Sequence, residues 1–122
     1  MNNYRHKYRI PFFDNSGKFI GFEDLDILKG VQPYNAGVCH RGEPEQCTGL
    51  TDKNGDPVFD GDVIQENGIN RYIHWHDNGW FYSVRYAPKC HWHLRKEDVE
   101  NAEIIGTIHD DQFRDLANLM EE

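Results

Sequence analysis

The sequence predicts a mainly β domain, built as a small bent antiparallel sheet or partly open barrel with an N-terminal hairpin and a short C-terminal helix. The 11 Gly and 5 Pro are scattered singly, which indicates many turns and therefore many short strands. Apolar and polar residues alternate between these turns, as in strands with one solvated face. Hydrophobic content is only 38%, but the 13% of aromatic residues supply large buried areas. The length of 122 residues suits one core, so we expect a single domain over 1–122.

The central segment, 48–66, carries two closely spaced turn signals. Asn54-Gly55 is the dipeptide most typical of a tight hairpin, because both residues accept positive φ at low cost. Asp60-Gly61 turns the chain again and leads into Asp62. We expect Asp52 and Asp60 to hydrogen-bond the turn backbone rather than to bind Ca²⁺, because EF-hand spacing is absent. The predicted structural turn residues are Gly49, Asn54, Gly55, Asp60, Gly61 and Asp62.

The N-terminal region is predicted to be a hairpin followed by a loop. Residues 4–13 alternate basic and apolar side chains, 14–17 form a turn, and 18–22 return as the second strand. We assign 1–29 to this hairpin. Residues 30–45 contain several Gly and Pro and little apolar patterning, so they are assigned to a loop.

The basic side chains of the first strand are Arg5, Lys7 and Arg9, interleaved with tyrosines. Such a pattern resembles a platform for single-stranded nucleic acid. It equally suits a solvent-facing strand whose charges guard an exposed edge.

Residues 46–109 are predicted to form a β-meander core with tight Gly turns. In its strand 71–76, Ile73 shares one face with Trp75, and His74 shares the other with His76. After the last strand, Asp110 can cap a helix over 110–120. The apolar residues of that helix follow helical spacing: Phe113, Leu116, Ala117 and Met120.

Imidazole and thiol groups in the C-terminal half make a candidate metal site. The residues are His74, His76, Cys90, His91 and His93. Imidazole and thiolate are zinc ligands, but the sequence has no CxxC pair and the spacing matches no standard zinc pattern. We therefore expect no cofactor, with histidines on the solvated face and Trp75 and Trp92 toward the core. Zinc is the alternative.

Charge and cysteine content limit the classes of function. A net charge of −8 disfavours nucleic acid as a partner, because an acidic surface repels phosphates. Three Cys, at 39, 47 and 90, fit no disulfide scaffold. The sequence has no apolar run of about 18 residues and no apolar signal-peptide core. We expect a cytoplasmic protein without a membrane partner.

The run TGLTDKNGDPVFDGDVI resembles the signature of the YopX-like family, small proteins of phages and prophages. The matching blocks, in order, are 46–50, 52–55 and 59–64. Later segments, including 103–109, are similar to the family's following strands, so the resemblance covers mainly 46–110. The N-terminal part departs from the family's usual Phe-Arg-x-Trp-Asp start. The motif at 60–64 also resembles SH3-like barrels, which is a likeness of shape and carries no function.

This resemblance implies a phage or prophage protein that occupies the chain as one YopX-like domain. Catalytic signatures such as GxSxG, a P-loop or HExxH are absent from the sequence. We therefore predict a non-enzymatic interaction protein that forms homo-oligomers and binds a host or phage protein in the cytoplasm of the bacterial host. Two alternatives stay open: a nucleic-acid-associated small β-barrel protein, and a metal-binding protein or enzyme that uses the His/Cys cluster.

Overall fold

The computed structural model describes residues 7–26, 40–76, 78–85 and 87–115. Within them, ten strands form two antiparallel sheets of five strands each, accompanied by one short α-helix and a 3-10 turn. One sheet curls into a half-barrel. The predicted mainly β fold is therefore confirmed. The elements in chain order are β1 (Lys7–Phe13), β2 (Phe19–Asp26), β3 (His40–Arg41), β4 (Glu45–Thr51), β5 (Pro57–Phe59), β6 (Asp62–Glu66), β7 (Ile69–His76), β8 (Gly79–Val84), β9 (Ala87–His93), α1 (Lys96–Val99), β10 (Glu103–Thr107) and the 3-10 turn (Asp111–Phe113).

The first sheet has the strand order β2-β1-β4-β5, and β3 pairs with β1 beside β4. The β1–β2 hairpin closes through Asp14, whose Oδ1 accepts the backbone N–H of Ser16 at 2.9 Å and of Lys18 at 3.0 Å. The second strand of the hairpin, β2, runs from Phe19 to Asp26 and is therefore longer than the predicted 18–22. Inside the predicted loop at 30–45, residues 40–41 form β3. Residues 30–39 of that loop lie outside the described residues.

The β4–β5 turn is organised by the side chain of Asp52. Its Oδ1 accepts the backbone N–H of Asn54 at 2.9 Å and of Asp56 at 3.0 Å. Gly55 has φ of 83° and Gly61 has φ of 92°, values that a residue with a Cβ adopts only under strain. Pro57 is the first residue of β5, a position where its missing N–H does not interrupt the hydrogen bonds within the sheet.

The second sheet has the strand order β10-β6-β7-β8-β9. β6 to β9 form a meander of four consecutive strands, in which each strand pairs with the next. Asn67 and Asn78 hold positive φ at its first two turns, with values of 54° and 63°. β10 returns beside β6 and completes the sheet.

Two apolar clusters lie on opposite faces of the second sheet, because alternate residues of one strand point to opposite sides. Ile73 belongs to the larger cluster and Tyr72 to the smaller. The larger contains Val58, Ile64, Ile73, Val99 and Ala102, and the smaller contains Val63, Tyr72 and Phe113. Full burial of each of the larger aliphatic side chains stabilises the fold by roughly 1.5–3 kcal/mol.

Of the C-terminal helix predicted over 110–120, the structure describes a 3-10 turn at Asp111–Phe113, followed by two residues in helical conformation, Arg114 and Asp115. Asp110 does occupy the N-cap position, but its side chain does not cap this turn. Its Oδ2 instead accepts the backbone N–H of Thr107 at 2.9 Å. Residues 116–122 lie outside the described part. Phe113 is buried against Tyr72, with ring centroids 6.1 Å apart.

Candidate functional site

Three strands of the second sheet bring the predicted histidines together on one face. His74 and His76 lie on β7, His91 lies on β9, and Ser83 of β8 lies between them. His74 Nε2 is 3.3 Å from His91 Nδ1 and 3.0 Å from Ser83 Oγ. The ring of His76 stacks on that of His91, with centroids 4.1 Å apart. We call His74, His76 and His91 the histidine cluster.

Hydrogen bonds inside this region satisfy the polar atoms at its centre. The hydroxyl of Ser83 donates to the carbonyl oxygen of Cys90 at 2.7 Å, so its lone pairs are left to accept from His74 Nε2–H. Burial, and after it the positive charges that His91 and His76 can carry, lower the pKa of His74 to about 4. His74 is therefore neutral at neutral pH, as a buried imidazole must be to avoid an uncompensated charge.

The zinc alternative at these residues stays a prediction. The 3.3 Å between His74 Nε2 and His91 Nδ1 is close to the separation of two imidazole ligands on a tetrahedral zinc ion, about 3.3–3.4 Å for bonds of 2.0–2.1 Å. Within the described residues, however, no three His, Cys, Asp or Glu side chains are placed to hold a metal. Cys90 is exposed on β9 next to His91, and His93 packs on Phe81 with ring centroids 4.5 Å apart.

A second polar cluster joins the two sheets around Arg9 of β1. Arg9 Nε lies 2.8 Å from Glu45 Oε1, and Arg9 Nη2 lies 2.7 Å from Asp62 Oδ1. The guanidinium also packs over two aromatic rings, 3.8 Å from the centroid of Phe22 and 4.8 Å from that of Phe59. Two carboxylates and two π-faces compensate a charge that would otherwise be costly to bury.

The predicted solvent-facing position of Arg9 is therefore wrong, since this residue is only 8% exposed. Both faces of β1 are covered, because the consecutive residues from Arg9 to Phe12 are all buried. Of the other two basic residues proposed to contact nucleic acid, Arg5 lies outside the described residues, and only the backbone of Lys7 is described.

His109 extends the cluster on the far side of Glu45. Its Nε2 lies 2.5 Å from Glu45 Oε2, and its ring stacks on Phe19 with centroids 5.4 Å apart. Glu45 thus bridges Arg9 and His109. We call Arg9, Glu45, Asp60, Asp62 and His109 the Arg9 cluster.

Two aspartates of this cluster have perturbed proton affinity. Burial, and after it the charge of Glu45, raise the pKa of Asp60 to about 6. The backbone N–H of Trp75 donates to Asp60 Oδ1 at 3.4 Å, a long bond that compensates little. Burial likewise raises the pKa of Asp62, while Arg9 and the N–H of Phe59, 2.7 Å from Asp62 Oδ2, oppose this rise. Of the two, Asp60 is the less well compensated carboxylate.

Large apolar side chains are exposed on the face of β7 to β9 opposite the histidine cluster. Ile69, Trp75 and Trp92 are 49%, 46% and 41% exposed. The expected burial of Trp75 and Trp92 is therefore wrong: they lie on the side of Ile73 but beyond the rim of the core. Trp92 stacks on Tyr82, with centroids 5.7 Å apart. We call Ile69, Trp75 and Trp92 the aromatic face.

The comparison with protein families matches residues 40–113 to a family described as YopX protein. The matched segment is more than half of the chain. This chain belongs to the YopX family. The match confirms the resemblance recognised over 46–110 and includes the whole second sheet. The β1–β2 hairpin, with Arg9, lies outside the matched segment. A search of curated proteins found no match to this chain. Among the described residues, no helix has the length and apolar character needed to cross a membrane.

Proposed function

We propose that this YopX-family protein is a phage- or prophage-encoded interaction protein that self-associates and binds a host or phage protein without catalysing a reaction. The observation that carries the proposal is the aromatic face, because two tryptophans and an isoleucine are exposed on one side of the second sheet, on β7 and β9. Exposed apolar patches of this kind mark surfaces that are covered by a partner.

The energy available from covering this face is large for so few residues. A Trp side chain buries 150–250 Å² when fully covered, so a half-exposed Trp still offers roughly 2 kcal/mol at about 25 cal/mol per Å². Trp is also among the residue types that dominate binding energy at interfaces. Trp75 and Trp92 are therefore expected to be the residues most sensitive to truncation.

The contacts of the titratable groups support a function without catalysis. In the Arg9 cluster, Glu45 is held between Arg9 and His109, and Asp62 is held by Arg9 and a backbone N–H. Such pairs serve to join two sheets, and both carboxylates are nearly inaccessible to a substrate. As part of this proposal, the protein acts in the cytoplasm of the bacterial host.

The two alternatives rest on fewer contacts. The nucleic-acid alternative loses Arg9, whose donors are occupied by carboxylates. A salt-sensitive mobility shift on single-stranded DNA would support it. The metal alternative retains two convergent imidazole nitrogens, and elemental analysis of the native protein would test it.

The test of the proposal is sedimentation velocity on the full chain. We expect an oligomer for the wild type and at least a tenfold weaker association for the double variant Trp75→Ala, Trp92→Ala. Ile20→Ala is the matched control, because Ile20 is 54% exposed but lies on β2 of the first sheet. A wild-type monomer at high concentration that also retains no protein from host lysate would contradict the proposal.

A further inference from the structure

β9 forms an edge of the second sheet with both of its faces exposed. β8 is its paired neighbour among the described residues. Every side chain from Lys89 to His93 is exposed, although alternate residues of a strand point to opposite faces. Side chains on both faces of this part of β9 are therefore accessible to solvent.

The opposite edge of the same sheet is closed. Two backbone groups at the start of β10 point away from β6. They are the carbonyl oxygen of Ala102, the residue before the strand, and the N–H of Ile104. The N–H of Lys53 donates to Ala102 O at 2.9 Å, and Asp52 Oδ2 accepts from Ile104 N at 3.1 Å. The turn between β4 and β5 thus blocks strand addition at β10, and β9 is the edge at which the sheet can grow.

The hydrogen-bond pattern shows which backbone groups of β9 point outward. Trp92 lies opposite Tyr82 and His93 lies opposite Phe81, and Leu94 N donates to Trp80 O at 3.0 Å. Because hydrogen-bonded and non-bonded pairs alternate in an antiparallel ladder, Trp92 bonds toward β8. The N–H and C=O of His93 therefore face the open edge.

Charge around β9 favours one kind of partner. Residues 78–96 contain no Asp or Glu, although the chain has 21 of them. Two exposed lysines flank the exposed part of β9: Lys89 is its first residue, and Lys96 follows it in the chain. Arg95, by contrast, pairs with Glu97 at 3.7 Å. Symmetric pairing of β9 with β9 of a second copy would place these basic ends side by side, which like charges oppose.

We propose that β9 accepts an extended, acidic segment of a partner protein as an added strand. Main-chain hydrogen bonds at His93 would supply affinity, as in other cases of strand addition. Carboxylates of the segment would pair with Lys89 and Lys96. This inference rests on the proposed function and specifies the chemistry of the partner.

Two synthetic octapeptides test the inference on the full-length protein: one alternates Glu and Val, and the other alternates Lys and Val. Backbone amide exchange is followed by NMR. We expect the Glu peptide to slow exchange of the His93 N–H at least tenfold and the Lys peptide to leave it unchanged. Lys89→Glu combined with Lys96→Glu should weaken binding of the Glu peptide at least tenfold. Lys18→Glu is the control, because Lys18 is exposed at the β1–β2 turn.

Three results would overturn the inference: no protection of His93 by the Glu peptide, equal protection by both peptides, or slow exchange without peptide that depends on protein concentration. The last result would identify a second copy as the occupant. Failure of the strand addition is distinguishable from failure of the proposed function. Loss of association in the Trp75→Ala, Trp92→Ala variant together with an unprotected His93 would refute only the strand addition. A monomer with a protected His93 would refute only the self-association.

Discussion

Replacing Arg9 with Met should destabilise the protein strongly, because the Arg9 side chain holds the two sheets together. The substitution keeps much of the apolar volume between Phe22 and Phe59 but removes the guanidinium that contacts Glu45 at 2.8 Å and Asp62 at 2.7 Å. Both carboxylates are nearly fully buried, and Glu45 would keep only His109 and Asp62 only the N–H of Phe59 to compensate its charge. Breaking a buried ion pair in this way costs about 3–5 kcal/mol.

The assay is urea unfolding at pH 7.5, with the free energy of unfolding compared between wild type and variant. Lys53→Met is the matched control, because Lys53 contacts Glu103 at 3.8 Å with both side chains half exposed. An exposed pair contributes about 0–1 kcal/mol, so this control should unfold close to wild type. At pH 5 the defect of Arg9→Met should shrink, because the abandoned carboxylates can take up protons. A loss below about 1 kcal/mol at pH 7.5 would refute the assigned role of Arg9 in joining the sheets.

Single residues elsewhere in the fold give three more tests. The pKa of Asp60 is raised from 3.8 to about 6 in the folded protein, so ionisation of this carboxyl destabilises the fold above pH 6 and not below pH 4. Asp60→Asn should therefore raise the free energy of unfolding at pH 7.5 by up to about 3 kcal/mol. The same variant should show no gain at pH 4. In an NMR titration His74 should take up its proton near pH 4, and a midpoint near 6.5 would contradict its burial. Gly61→Ala should cost more than Gly17→Ala in urea unfolding: both have positive φ, but a Cβ at Gly61 would lie 3.2 Å from Glu45 Oε2, whereas at Gly17 it meets nothing within 4 Å. Equal losses in the free energy of unfolding would show that the side chain of Glu45 moves aside at little cost.

The local features of the fold could be predicted because single dipeptides determine them. Asn54-Gly55 and Asp60-Gly61 specify backbone conformations that few residues adopt, so they locate turns without knowledge of the rest of the chain. The alternation in β7 likewise places His74 and His76 on one face. His91, a member of the same predicted candidate site, is brought against them from β9, 17 positions from His74, by the pairing of the strands.

The Arg9 cluster could not be predicted, because its members are brought together by the packing of two sheets. Glu45 is 36 positions from Arg9 and 64 from His109. The alternation of β1 shows that Arg9 and Lys7 share a face, but it does not show that both faces of this strand are covered. The exposure of Trp75 and Trp92 could not be predicted for a related reason: a strand longer than the core beneath it carries its last residues past the rim.

Native mass spectrometry of the full chain, purified without chelator, tests self-association and metal binding in one experiment, because it reports oligomeric state and bound metal together. We expect a metal-free homo-oligomer that dissociates when Trp75 and Trp92 are replaced with Ala. A monomer that carries one zinc ion would contradict self-association through the aromatic face, and would direct attention to the histidine cluster instead.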